Sequence, residues 1–79
     1  MPKESAYFLL KSLNNKQDIK LIKKELDTIR GIISVSVNHE NSRVAVDFDN
    51  SGVSHDRIKN KINEIGFEIA DESAEEHVM

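Results

Sequence analysis

The chain has 79 residues, 38% of them hydrophobic and 32% charged, with a net charge of −3. That is one small domain with a workable core, and no basic excess of the kind that binds nucleic acid. It contains no cysteine, which excludes disulfides, thiolate metal ligands and a cysteine nucleophile.

Along the chain, Ser5–Leu13 (SAYFLLKSL) is short, apolar and aromatic, with Phe8 and Leu10 on one side of a period of two, and reads as a strand. Ile19, Ile22, Leu26 and Ile29 then fall on one face of a helix, which Gly31 closes. Ile32–His39 and Arg43–Asp49 alternate cleanly and are joined by Glu40-Asn41-Ser42, so they form a hairpin. Ser54 caps a second helix whose apolar positions are Ile58, Ile62 and Ile65, and Gly66 stops it. Phe67 and Ile69 make a short last strand. Residues 71–79 hold four of the 14 acids and no lysine or arginine, and are expected to be a frayed tail outside a domain of residues 1–70.

The order β-α-β-β-α-β folds as a ferredoxin-like open-faced α+β sandwich, a four-stranded antiparallel sheet with both helices on one face. Its other face would show Tyr7, Leu9, Lys11, Ser34, Ser36, Asn38, Arg43, Ala45 and Asp47, mostly polar. Tyr7 and Leu9 form a small apolar strip there, a candidate contact for a partner or a second copy.

Roughly residues 6–70 resemble the heavy-metal-associated domain of copper chaperones and metal-transporting P-type ATPases. The resemblance is carried by Ile22-x3-Leu26-x4-Gly31-Ile32-x2-Val35-x-Val37, by Val44-x-Val46-x-Phe48-Asp49, and by Val53-Ser54, Ile58, Ile62 and Gly66-Phe67. It implies a metal loop, Met-x-Cys-x-x-Cys, at the end of the first strand. Counting back from Gly31, the Met falls on Leu13 and the two cysteines on Asn15 and Asp18. Both thiolates are gone. Cu(I) prefers thiolate and thioether, whereas Asn15 and Asp18 offer hard oxygens, too few for calcium. They serve instead as a helix cap and an N3 carboxylate.

Other chemistry is thin. His39, His55 and His77 read as surface residues, a nonspecific nickel or zinc contact at His77, Glu75 and Glu76 being the alternative for the last. Ser54-His55-Asp56 has the residue types of a triad, but neighbours in one helical turn point in different directions, so an enzyme is not expected. Lys16, Lys20, Lys23 and Lys24 line the exposed side of the first helix, with Lys11 nearby. They make either a solvated face, a contact with the acidic tail, or a docking surface for an acidic partner such as a metal ATPase domain. The expected protein is a cytoplasmic monomer without cofactor, nucleic-acid partner or membrane insertion, acting as an interaction or regulatory module in metal homeostasis. Metal binding through non-cysteine ligands and self-association through the sheet face are the alternatives.

Overall fold

The computed structural model describes residues 3–11, 13 and 16–77. Six elements follow in order: β1 (Lys3–Leu10), α1 (Lys16–Asp27), β2 (Ile32–Asn38), β3 (Arg43–Asp49), α2 (His55–Glu64) and β4 (Ile69–His77). The strands form one antiparallel sheet in the order β2-β3-β1-β4. This is the ferredoxin-like sandwich the alternating patterns imply.

Burial follows the periodicities. Ala6, Phe8 and Leu10 of β1, Val44, Val46 and Phe48 of β3, Ile22 and Leu26 of α1, and Ile58 and Ile62 of α2 make one core. Leu13 closes it below the β1–α1 connection, and Ile19, Ile29, Ile65 and Phe67 pack on its edges. α1 sits mainly over β2, α2 over β4, and the two helices touch.

The helix ends are built as their sequences require. Ser54 Oγ accepts from the Arg57 N–H at 3.2 Å, capping α2. At its other end Gly66 takes φ +106°; its N–H reaches the Asn63 carbonyl and the Phe67 N–H reaches that of Ile62. That pair of bonds is a Schellman closure, which needs a left-handed residue and so selects glycine. The hairpin turn uses Asn38 Oδ1, which accepts from the Asn41 N–H at 3.3 Å, and puts Ser42 at φ 51°. Asp49 ends β3 by folding the next loop over its own carboxylate, which accepts from the Ser51 N–H at 3.0 Å and the Ser51 hydroxyl at 2.7 Å. These two bonds, the hydroxyl foremost, lower the Asp49 pKa from its ordinary 3.8.

Two strand readings are corrected. β1 begins at Lys3 and ends at Leu10, not Leu13. The larger correction concerns the last strand: β4 starts at Ile69 and runs to His77, so most of the stretch read as a frayed tail is sheet. β1 pairs it from Leu10↔Ile69 to Lys3↔His77, with an irregularity that skips Ala70. Asp, Glu, Ser and Ala are weak strand formers, and here pairing with a central strand outweighs propensity. Phe67 precedes the strand rather than belonging to it.

Candidate functional site

The β1–α1 connection is where the resemblance implies a metal loop. Leu13 is buried and anchors it. α1 opens at Lys16, and Asp18 lies half-buried in its first turn, where a carboxylate meets the positive end of the helix dipole. Asn15, expected as the cap, lies outside the described residues. Beside this connection is an open hollow of about 440 Å³ lined by Lys11, Asp18, Leu21, Ile65, Phe67 and Glu68. Among the described residues no group of three or more His, Asp or Glu side chains could hold a metal ion. With no cysteine in the chain, this donor set does not fit a soft ion such as Cu(I).

The lysines divide. Lys16, Lys20 and Lys24 recur every four residues along α1, and Lys23 lies on the same side; all four are exposed. None makes an ion pair with a described residue. Lys11 stands apart, 3.3 Å from Glu68 Oε2 across the β1–β4 end of the sheet. Among the described residues, no ion pair joins the α1 lysines to the last strand. β4 is the sheet edge farthest from β2, and α1 lies over β2.

The acidic strand has partners on α2 instead. Glu72 points to the helix side, 3.0 Å from Lys59 Nζ and 3.2 Å from His55 Nε2. Lys59 foremost, with His55 behind it, lowers the Glu72 pKa from its ordinary 4.5. The His55 ring lies against Phe8 at 5.1 Å between centroids, and its Nδ1 is buried with no hydrogen-bond partner among the described residues. A hydrogen on Nε2, donated to Glu72, leaves only a bare lone pair at Nδ1. His55 is therefore not the plain surface residue its sequence context suggests. The spacing of His55 and Lys59 was visible in the sequence; their partner was not, because it lies in the strand read as tail. His39 is exposed. The side chains of Glu76 and His77 lie outside what is described. Ser54, His55 and Asp56 do not converge, since Ser54 caps the helix while His55 turns to Phe8 and Glu72.

On the open face of the sheet, Tyr7 is half-buried and Leu9 is 42% exposed. The Arg43 guanidinium lies 5.8 Å from the Tyr7 ring centroid. Tyr7, Leu9, Asn41, Arg43, Asp71 and Ser73 surround a shallow hollow of about 170 Å³. Below it, Asp47 accepts from the hydroxyls of Ser5 and Ser34.

The family model of the heavy-metal-associated domain matches residues 19–68, more than half of the chain. The chain belongs to the heavy-metal-associated domain family. The match starts one residue past the loop that would carry the cysteines, so it rests on the scaffold. No curated protein matches the chain in sequence. Among solved structures, the CopZ metallochaperone superposes with a TM-score of 0.80 at 24% identity, over 84% of this chain and 98% of its own. A copper binding domain from a P-type ATPase gives 0.74 at 24% identity, over 99% and 96%. Apo-CopP from Helicobacter pylori gives 0.75 at 27% identity, over 84% and 98%. Among the described residues no helix is long and apolar enough to cross a membrane.

Proposed function

We propose that this member of the heavy-metal-associated family works by protein contact rather than by thiolate exchange of a metal. It would be a non-catalytic interaction or regulatory module of metal handling in the cytoplasm, docking an acidic partner through Lys16, Lys20, Lys23 and Lys24. The observation that carries this reading is the pairing of the family scaffold with a cysteine-free chain and a lysine row that makes no ion pair among the described residues. Like charges at i,i+4 destabilise a helix by ~0.2–0.5 kcal/mol per pair, and Lys16-Lys20-Lys24 contains two such pairs. A row kept at that cost is better explained by a partner than by solubility, which a mixed face would supply. Similarity to a metallochaperone and to a domain of a P-type ATPase makes a metal ATPase domain the first partner to test.

A pull-down with such a domain at low and high salt tests it. The variant K16E/K20E/K23E is expected to lose the partner, and the wild-type interaction to weaken with salt. An interaction unchanged in the variant and insensitive to salt rejects the docking face. An NMR titration with Cu(I) and Zn(II) under reducing conditions tests the loss of metal binding: shifts around residues 13–19 that saturate at one equivalent would reject it. Self-association through Tyr7 and Leu9 is the second reading, supported by the exposure of Leu9. A monomeric mass at high concentration rejects it.

A further inference from the structure

At the sheet end opposite the β1–α1 connection, a third open hollow of about 450 Å³ lies between the α1–β2 turn and the first turns of α2. Thr28, Ile29, Arg30, Val53, Ser54, Arg57 and Lys61 line it, with Gly52. The hollow at the β1–α1 connection carries Asp18 and Glu68, and the one on the open face carries Asp71. This one carries three cations and no acid, in a chain with 14 acids and 11 bases. Lys11 and Lys59 have carboxylate partners; Arg30, Arg57 and Lys61 have none among the described residues.

We propose that this hollow binds a small multivalent oxyanion, a polyphosphate or a phosphate ester. Arg57 and Lys61 stand one turn apart on the same side of α2. Arg30 comes from a different element and is fixed relative to them by close backbone packing. Gly31 sits at φ +103°, and a Cβ on it would lie 3.0 Å from Val53 Cγ1 and 3.2 Å from the Gly52 carbonyl carbon. Its carbonyl accepts from the Asp49 N–H at 2.8 Å. The turn bearing Arg30 and the loop bearing Val53 and Ser54 thus form one unit. Ile29 and Val53 supply apolar walls, and the Ser54 hydroxyl, accepting from Arg57 N–H, keeps its own hydrogen to donate. Two guanidinium forks and an ammonium match the planar, bidentate recognition of phosphate oxygens. Asp56, also in the first turn of α2, does not line the hollow. This inference is independent of the α1 lysines and of the metal question.

The test is an NMR titration of the full chain with sodium pyrophosphate at ionic strength held constant with sodium chloride. Saturable shifts are expected at Arg30, Gly52, Val53, Ser54, Arg57 and Lys61, with a parallel rise in Tm. R57E/K61E and, separately, R30E are expected to weaken binding by about tenfold or more. A second arm with adenosine diphosphate separates the sources. Tighter binding than pyrophosphate assigns a phosphate ester, and equal or weaker binding assigns free polyphosphate. Shifts that never saturate, shifts of equal size along Lys16–Lys24, or unchanged binding in both variants overturn the proposal. A concentration-dependent dimer that shields these residues while pyrophosphate fails to bind also overturns it, in favour of a second copy's acidic strand.

Discussion

The two helices cover the same sheet with opposite electrostatic habits. Where α2 packs on β4, charge is matched: Glu72 takes Lys59 and His55, and His55 takes Phe8, while Arg57 and Lys61 stand outside that cluster. On the α1–β2 side, Ile22 and Leu26 bury the apolar stripe while four lysines face solvent without a described partner. The first arrangement holds a strand of poor propensity at the sheet edge. The second leaves its four lysines without a described partner, free for something outside the chain.

The sharpest way to break the first side is through Phe8. Its side chain is fully buried and touches the core beneath α2 as well as His55. Phe8→Ala is expected to cost ~3–5 kcal/mol, most of the stability of a domain this size. The check is a urea midpoint by circular dichroism. A loss under about 1 kcal/mol would mean that the core does not bear on Phe8.

The second largest effect lies where the two sides meet. Gly31→Ala places a Cβ against Gly52 backbone at a φ that side chains rarely adopt. Strain of that kind costs about 1–3 kcal/mol. Thermal unfolding should show a clear fall in Tm. An unchanged Tm would mean that the two loops are loosely seated, and would weaken the fixed placement of Arg30 as well.

How much of this was legible follows the same division. Ile22, Leu26, Val44, Val46 and Phe48 announce themselves by period, and Ser54 and Gly66 by the backbone conformation each position demands. β4 did not, because a strand written Ile-Ala-Asp-Glu-Ser-Ala-Glu-Glu-His has neither alternation nor propensity. Its state is decided by β1 next to it, a long-range fact that no local window contains. His55 was misread for the same reason: its partner sits in that strand. The α1 lysine row was visible because helical spacing is local. Arg30 meeting Arg57 and Lys61 was not, since it needs the crossover connections to be placed.

A third experiment titrates the matched side. The folded-state pKa of Glu72 is depressed, so its contribution to stability is present above the ordinary value of 4.5 and is lost as pH falls through the folded value. Asp49 adds the same sign from its ordinary 3.8. Stability should therefore fall as the solution is acidified through this range. Glu72→Gln should flatten that fall and leave the Asp49 part. Urea midpoints at several pH values read it directly. A variant curve parallel to wild type would show that Glu72 is not the linked group.

The smallest effect is the most telling for the unmatched side. Lys20 stands four residues from both Lys16 and Lys24. Lys20→Glu removes two like-charge pairs and sets a glutamate four residues before Lys24, the favourable orientation. At ~0.2–0.5 kcal/mol per pair, the variant should be more stable than wild type by roughly 0.5–1 kcal/mol at low salt, with the gain shrinking as salt is added. The same substitution should weaken capture of an acidic partner. Those opposite signs separate a row kept for binding from a row that merely solvates the helix. A variant that gains stability and keeps its partner would assign the lysines to solvation, and docking would then have to be sought on the open sheet face around Tyr7 and Leu9.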